Sequence, residues 1–79
     1  MENNSEVAKL RQRIEEEYIA AQRALHAPAM VGKHEFITAR MEGMQQAHLE
    51  LQIILGETEA IKLVAATLNN MQEVRKAQD

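Results

Sequence analysis

The sequence predicts an all-α protein of three helices, and three observations carry that prediction. Only three Gly and one Pro occur in 79 residues, whereas the strong helix formers Ala, Glu, Gln, Leu, Met and Arg are abundant. Apolar residues recur at three- and four-residue spacing along most of the chain. The pattern breaks at two places, around Pro28 and at Gly56-Glu57-Thr58. Helices of about 5–26, 28 or 34 to 55, and 58–76 follow, in one domain spanning 1–79.

The first segment carries Val7, Leu10, Ile14, Tyr18, Ala21 and Leu25 on one stripe, with Asn3 or Asn4 as its cap. It ends near Leu25 or His26, because a residue preceding proline disfavours helical geometry and that residue is Ala27. Two starts are open for the second helix. Pro28 suits a first helical position, which gives ordered helix or turn from about Pro28 with a weak point at Gly32 and is the favoured start; the alternative is an apolar loop from His26 to Lys33. Met30, His34, Ile37, Met41, Met44, His48, Leu51 and Leu55 then form an unbroken heptad seam. A side ridge of small residues, Ala39, Gly43 and Ala47, admits the close approach of another backbone. Gly56 suits the closing position of this helix and Thr58 the cap of the next. The third stripe runs through Ile61, Val64, Leu68, Met71 and Arg75.

These helices predict either an up-down-up bundle or a helical hairpin with the N-terminal helix docked across it. Size scaling gives a folded surface of roughly 4,900 Å² for a chain of this mass, so a monomer buries about 60% of what the unfolded chain exposes. That core is marginal. Ile19, Leu49, Ile53 and Leu63 fall off the main stripes, and with the ridge Ala39, Gly43, Ala47 they form the candidate association surface. The expectation is a homodimer, twofold and isologous.

Composition narrows the function classes. The chain has no Cys, which excludes disulfides, thiolate metal sites and a Cys nucleophile. Its longest apolar runs fall well short of the roughly 20 residues of a membrane span. No basic-then-apolar leader stands at the start, so the expected location is cytoplasmic. Nine Lys and Arg against twelve Asp and Glu, with one Phe, one Tyr and no Trp, argue against nucleic acid as a partner.

Few residues suggest chemistry. Arg40 falls within an apolar arc bounded by Phe36, Met44, Ala47 and Leu51, and a charge there needs a carboxylate. Antiparallel first and second helices put Glu17 within its reach, with Arg75 at the same end of the bundle. Glu17, Arg40 and Arg75 are therefore either a structural ion pair or an anion-binding pocket. His34 and His48 interrupt the apolar seam. An antiparallel pairing of two second helices about Met41 would set His34 of one chain opposite His48 of the other, a candidate for a pH or ligand response. No Glu lies three residues before any His, so no metal site and no cofactor is expected. Tyr18 should hydrogen-bond through its hydroxyl at the rim. No triad, phosphate loop or two-His motif is present, so no enzyme is expected.

The leading reading is a small intracellular homo-oligomeric helical module or adaptor without catalytic activity, binding itself, with another protein as a further candidate partner. An alternative is an anion or small-molecule sensor with a basic intrabundle pocket. The last is a DNA-binding transcriptional regulator using Lys9, Arg11 and Arg13, which lie on different faces of one helix.

Overall fold

The structure, a computed structural model, describes the backbone of residues 2–28 and 31–78 and the side chains of 5–28 and 31–71. The described chain is all-helical, a helical bundle of α1 (Glu2–His26), α2 (Lys33–Leu55) and α3 (Glu57–Gln78), with no strand. Cross-helix pairs fix the sense of the first two. Residue 17 meets residue 40 and residue 13 meets residue 50, so α1 and α2 run antiparallel. Their contact is the most extensive of the three, and that between α1 and α3 the least.

The choice between two starts for α2 resolves at Lys33. Gly32 takes φ 84° and ψ 3°, a left-handed conformation that suits glycine, and its carbonyl accepts the first helical bond from Phe36 N at 2.9 Å. Pro28 lies before α2, in the connection. Lys33 ties the connection together: its Nζ donates to the Ala27 carbonyl at 3.1 Å and the Leu25 carbonyl at 3.4 Å. A cation there satisfies carbonyls that the end of α1 leaves without partners.

Only Gly56 separates α2 from α3. Its N–H closes α2 on the Gln52 carbonyl at 2.9 Å, and its own carbonyl opens α3 by accepting from Ala60 N at 3.0 Å. One residue thus serves both ends. At φ 89° and ψ 161° it occupies a region open essentially to glycine. Thr58, expected as the cap, already lies inside α3, and Asn3 and Asn4, expected to cap a helix starting near residue 5, likewise lie inside α1, which begins at Glu2.

The core lies where all three helices meet. Leu10 and Ile14 of α1, Ala47 and Leu51 of α2 and Ala60 of α3 are buried there, flanked by Val7, Met44, Ile54, Leu55, Leu63, Val64 and Leu68. Two stripes are rotated from the expected ones. In α1 Leu10, Ile14 and Ala21 are buried as expected, but the face then continues through Ala24, leaving Tyr18 half-buried and Leu25 exposed; in α3 Ala60 is buried and Ile61 exposed. Alanines face neighbouring helices in both cases because their short side chains permit closer backbone approach. Thr67, also buried, returns its hydroxyl to the Leu63 carbonyl at 2.8 Å.

Replacing Gly56 with Ala should destabilise the chain by about 1 to 3 kcal/mol through backbone strain alone, since an added Cβ there meets nothing within 4 Å. Urea unfolding followed by circular dichroism measures this. A change within experimental error would show that the corner relaxes freely.

Candidate functional site

Arg40 and Glu17 meet in the interface of α1 and α2. Arg40 Nη1 donates to Glu17 Oε1 at 2.9 Å, with 35% of the arginine side chain and 14% of the glutamate side chain accessible. One turn earlier on α2, the Phe36 ring lies 5.1 Å from the guanidinium carbon, within cation–π range. Arg40 Nε is buried without a hydrogen-bond partner. The guanidinium is thus held by one charge-assisted bond and one aromatic face.

Gly43 completes the arrangement. A Cβ built there would lie 2.9 Å from Glu17 Cδ and closer still to Oε2. The carboxylate therefore occupies the space that a side chain at position 43 would fill. Glu17, Arg40 and Gly43 form one packing unit, with glycine making room for the acid that pairs the arginine.

This geometry corrects the expected association surface. The ridge of Ala39, Gly43 and Ala47 was expected to receive a second copy. Gly43 instead faces Glu17 of the same chain, Ala47 is 0% exposed in the chain's own core, and Ala39 is half-buried. Close approach is used, but α1 is the neighbour that makes it. Leu63 also leaves the list, because it is half-buried and packs on the core. Ile19, Leu49 and Ile53 are exposed, and so are Leu25, Val31, Phe36, Met41 and Ile61.

Of the remaining candidates, the Arg75 side chain lies outside the described residues. The two seam histidines differ in setting. His34 is exposed, whereas His48 is half-buried in a recess lined by Ile14, Met41, Met44, Gln45, Val64 and Leu68. The His48 ring nitrogen Nε2 lies 3.5 Å from Gln52 Nε2, at the limit of a hydrogen bond. Met30 of the same seam is outside the described residues. Tyr18 accepts a bond from Gln22 Nε2 at 2.9 Å. Arg13, one of the three basic residues considered for DNA, stands 4.0 Å from Glu50, both well exposed.

Two concavities among the described residues are open and apolar-walled. One of about 510 Å³ is lined by Tyr18, Ile19, Gln22, Arg23, His26, Ala27 and Met71. Another of about 380 Å³ lies between α1 and α2 beside Phe36. Among the described residues no group of three or more His, Asp or Glu is placed to hold a metal ion, and no helix is long and apolar enough to cross a membrane.

Sequence reasoning missed Lys33 and, although it set Phe36 beside Arg40, the ring contact between them. Nothing in a local pattern marks Lys33 as a cap for the preceding helix, since its bonds span six and eight residues. Phe36 carried a readable signal, four residues before Arg40 and so on the same face of a helix. Comparison with protein-family models, with curated proteins and with solved structures finds no match to this chain.

Gly43→Leu should destabilise by about 1 to 3 kcal/mol through overpacking against Glu17. Gly43→Ala gives a finer test in a double-mutant cycle. With Glu17 present, the methyl displaces the carboxylate and little stability is gained; with Glu17→Ala, the same change should stabilise by up to about 1 kcal/mol through helix propensity. Additive effects in denaturant unfolding would show that the two residues do not share the site.

Proposed function

We propose that this chain is a small homo-oligomeric helical interaction module whose activity is association. One observation carries the reading: a single chain leaves more surface in water than a chain of its mass usually does. The accessible area is 5883 Å², about 1,000 Å² above the ~4,900 Å² of a typical folded monomer. The radius of gyration agrees in direction, at 13.8 Å against roughly 11 to 12 Å for a compact domain of this length. The excess is comparable to the ~800 Å² that each partner contributes to a standard protein interface.

Large apolar side chains supply part of that area. Eight of them are exposed among the described residues, more than scattered surface residues explain on so small a chain. The ion pair of Glu17 and Arg40 contributes to the reading by subtraction. Arg40 is engaged within the chain by Glu17 and Phe36, which weighs against the second reading, an anion sensor built on Arg40, Arg75 and His48.

Sedimentation equilibrium or light scattering from low micromolar concentration upwards tests the proposal. The expected mass is about 18 kDa, twice the 9.0 kDa of one chain. A species of 9.0 kDa across the whole range would overturn it.

A further inference from the structure

We infer that a second copy of this chain docks on the outer face of the C-terminal half of α2, with Leu49 of each protomer against Ile53 of the other in a twofold antiparallel crossing. The inference rests on the self-association proposed above and names its surface. Two observations single out this face from the other exposed apolar positions, and a third bears on the size of the contact.

The first is exposure by position. Ile53 is 84% exposed and Leu49 47%, one helical turn apart on one side of α2, and Ile61, 50% exposed, lies just beyond the Gly56 corner. At about 100° per residue, Leu49 and Ile53 point away from Gly43 and Ala47, which face α1. They also lie away from Met44 and His48, which share a recess with Val64 and Leu68 of α3. Two sides of α2 are occupied within the chain, and this is the third.

The second is charge. From Gly43 to Gly56 the only Asp, Glu, Lys or Arg is Glu50, which stands opposite Arg13 of α1. Over this stretch the outer face therefore presents Gln45, Gln46, Leu49, Gln52 and Ile53, apolar and amide side chains without charge, bordered on the same side by the exposed Glu42. Charge depletion marks the centre of protein interfaces. It also favours a like partner, because a twofold contact places a patch against its own charge pattern, and a chain of net charge −3 otherwise repels its copy.

The third is area. The surplus surface of roughly 1,000 Å² matches one side of a standard dimer interface. The competing cluster, Leu25, Val31 and Phe36, lies at the opposite end near the connection of α1 and α2 and is interrupted by charged Arg23, Lys33 and Glu35.

Ile53→Glu places a carboxylate at the proposed centre and, being on an exposed position, should leave the helical circular dichroism unchanged. The dissociation constant from sedimentation should rise at least tenfold, whereas Leu25→Glu should leave it within twofold. Because the chain has no Cys, mixing a Leu49→Cys chain with an Ile53→Cys chain under mild oxidation should give a covalent heterodimer, and Leu25→Cys with Ile53→Cys should not. A dimer that survives Ile53→Glu but dissociates with Leu25→Glu overturns this inference and leaves the proposed function standing. Assemblies that grow past the dimer overturn the twofold geometry. A monomer at every concentration overturns both readings, leaving the face to a different protein.

Discussion

The approach of α1 to α2 at Gly43 is the constraint on which the rest of the structure depends. Without a side chain at that position, the Glu17 carboxylate lies against the α2 backbone and accepts Arg40 Nη1 at 2.9 Å. A partly exposed ion pair adds little to stability as such. Its larger effect is on register. Sliding α2 by one turn would separate the acid from its arginine and push it against a side chain in place of glycine. Conformational specificity is the best-attested role of a sequestered polar contact among apolar neighbours.

That register decides which residues form the core. With Glu17 turned towards α2, the buried face of α1 continues through Ala21 and Ala24 rather than Leu25. Four of the seven buried hydrophobic residues described are alanines, and of the large side chains only Ile14 and Leu51 are almost wholly removed from water. Alanines bring helices close, which favours dispersion contacts, but each removes little apolar area. Larger side chains consequently remain on the outside. The exposed surface and the close crossing are two consequences of the same choice of interior residues.

The helices themselves were legible because helix former content and apolar spacing act locally, and Pro28 and Gly56 punctuate the chain through fixed backbone preferences. The pairing of Arg40 with Glu17 was also legible, since antiparallel packing about a known connection fixes which residues lie level. The rotation of the α1 and α3 stripes was not. Hydrophobicity ranks Leu25 above Ala24 and Ile61 above Ala60, whereas packing ranks them by how near the backbones can come. The ridge of Ala39, Gly43 and Ala47 shows the same limit from the other side: small residues announce a close neighbour without naming it, and here the neighbour is α1. For Lys33 the relevant partners are carbonyls of another helix, and backbone carbonyls carry no sequence signature.

The division of α2 into faces links folding to assembly. One face meets α1 through Phe36, Arg40, Gly43 and Ala47, and a second meets α3 through Met44 and His48. A helix has room for a third neighbour, and the remaining face carries Leu49 and Ile53 in a stretch whose sole charge, Glu50, is turned towards Arg13. If that face served solubility, charged side chains would be its natural occupants, as they are at the exposed α1 positions Lys9, Arg11 and Glu16. Their absence from this face between Gly43 and Gly56, beyond the exposed Glu42 on the same side, distinguishes its C-terminal half. Since the register device and the proposed contact occupy different sides of one helix, substitutions at Ile53 would reach the proposed contact without touching Glu17 or Arg40, which makes the two properties separable by mutation.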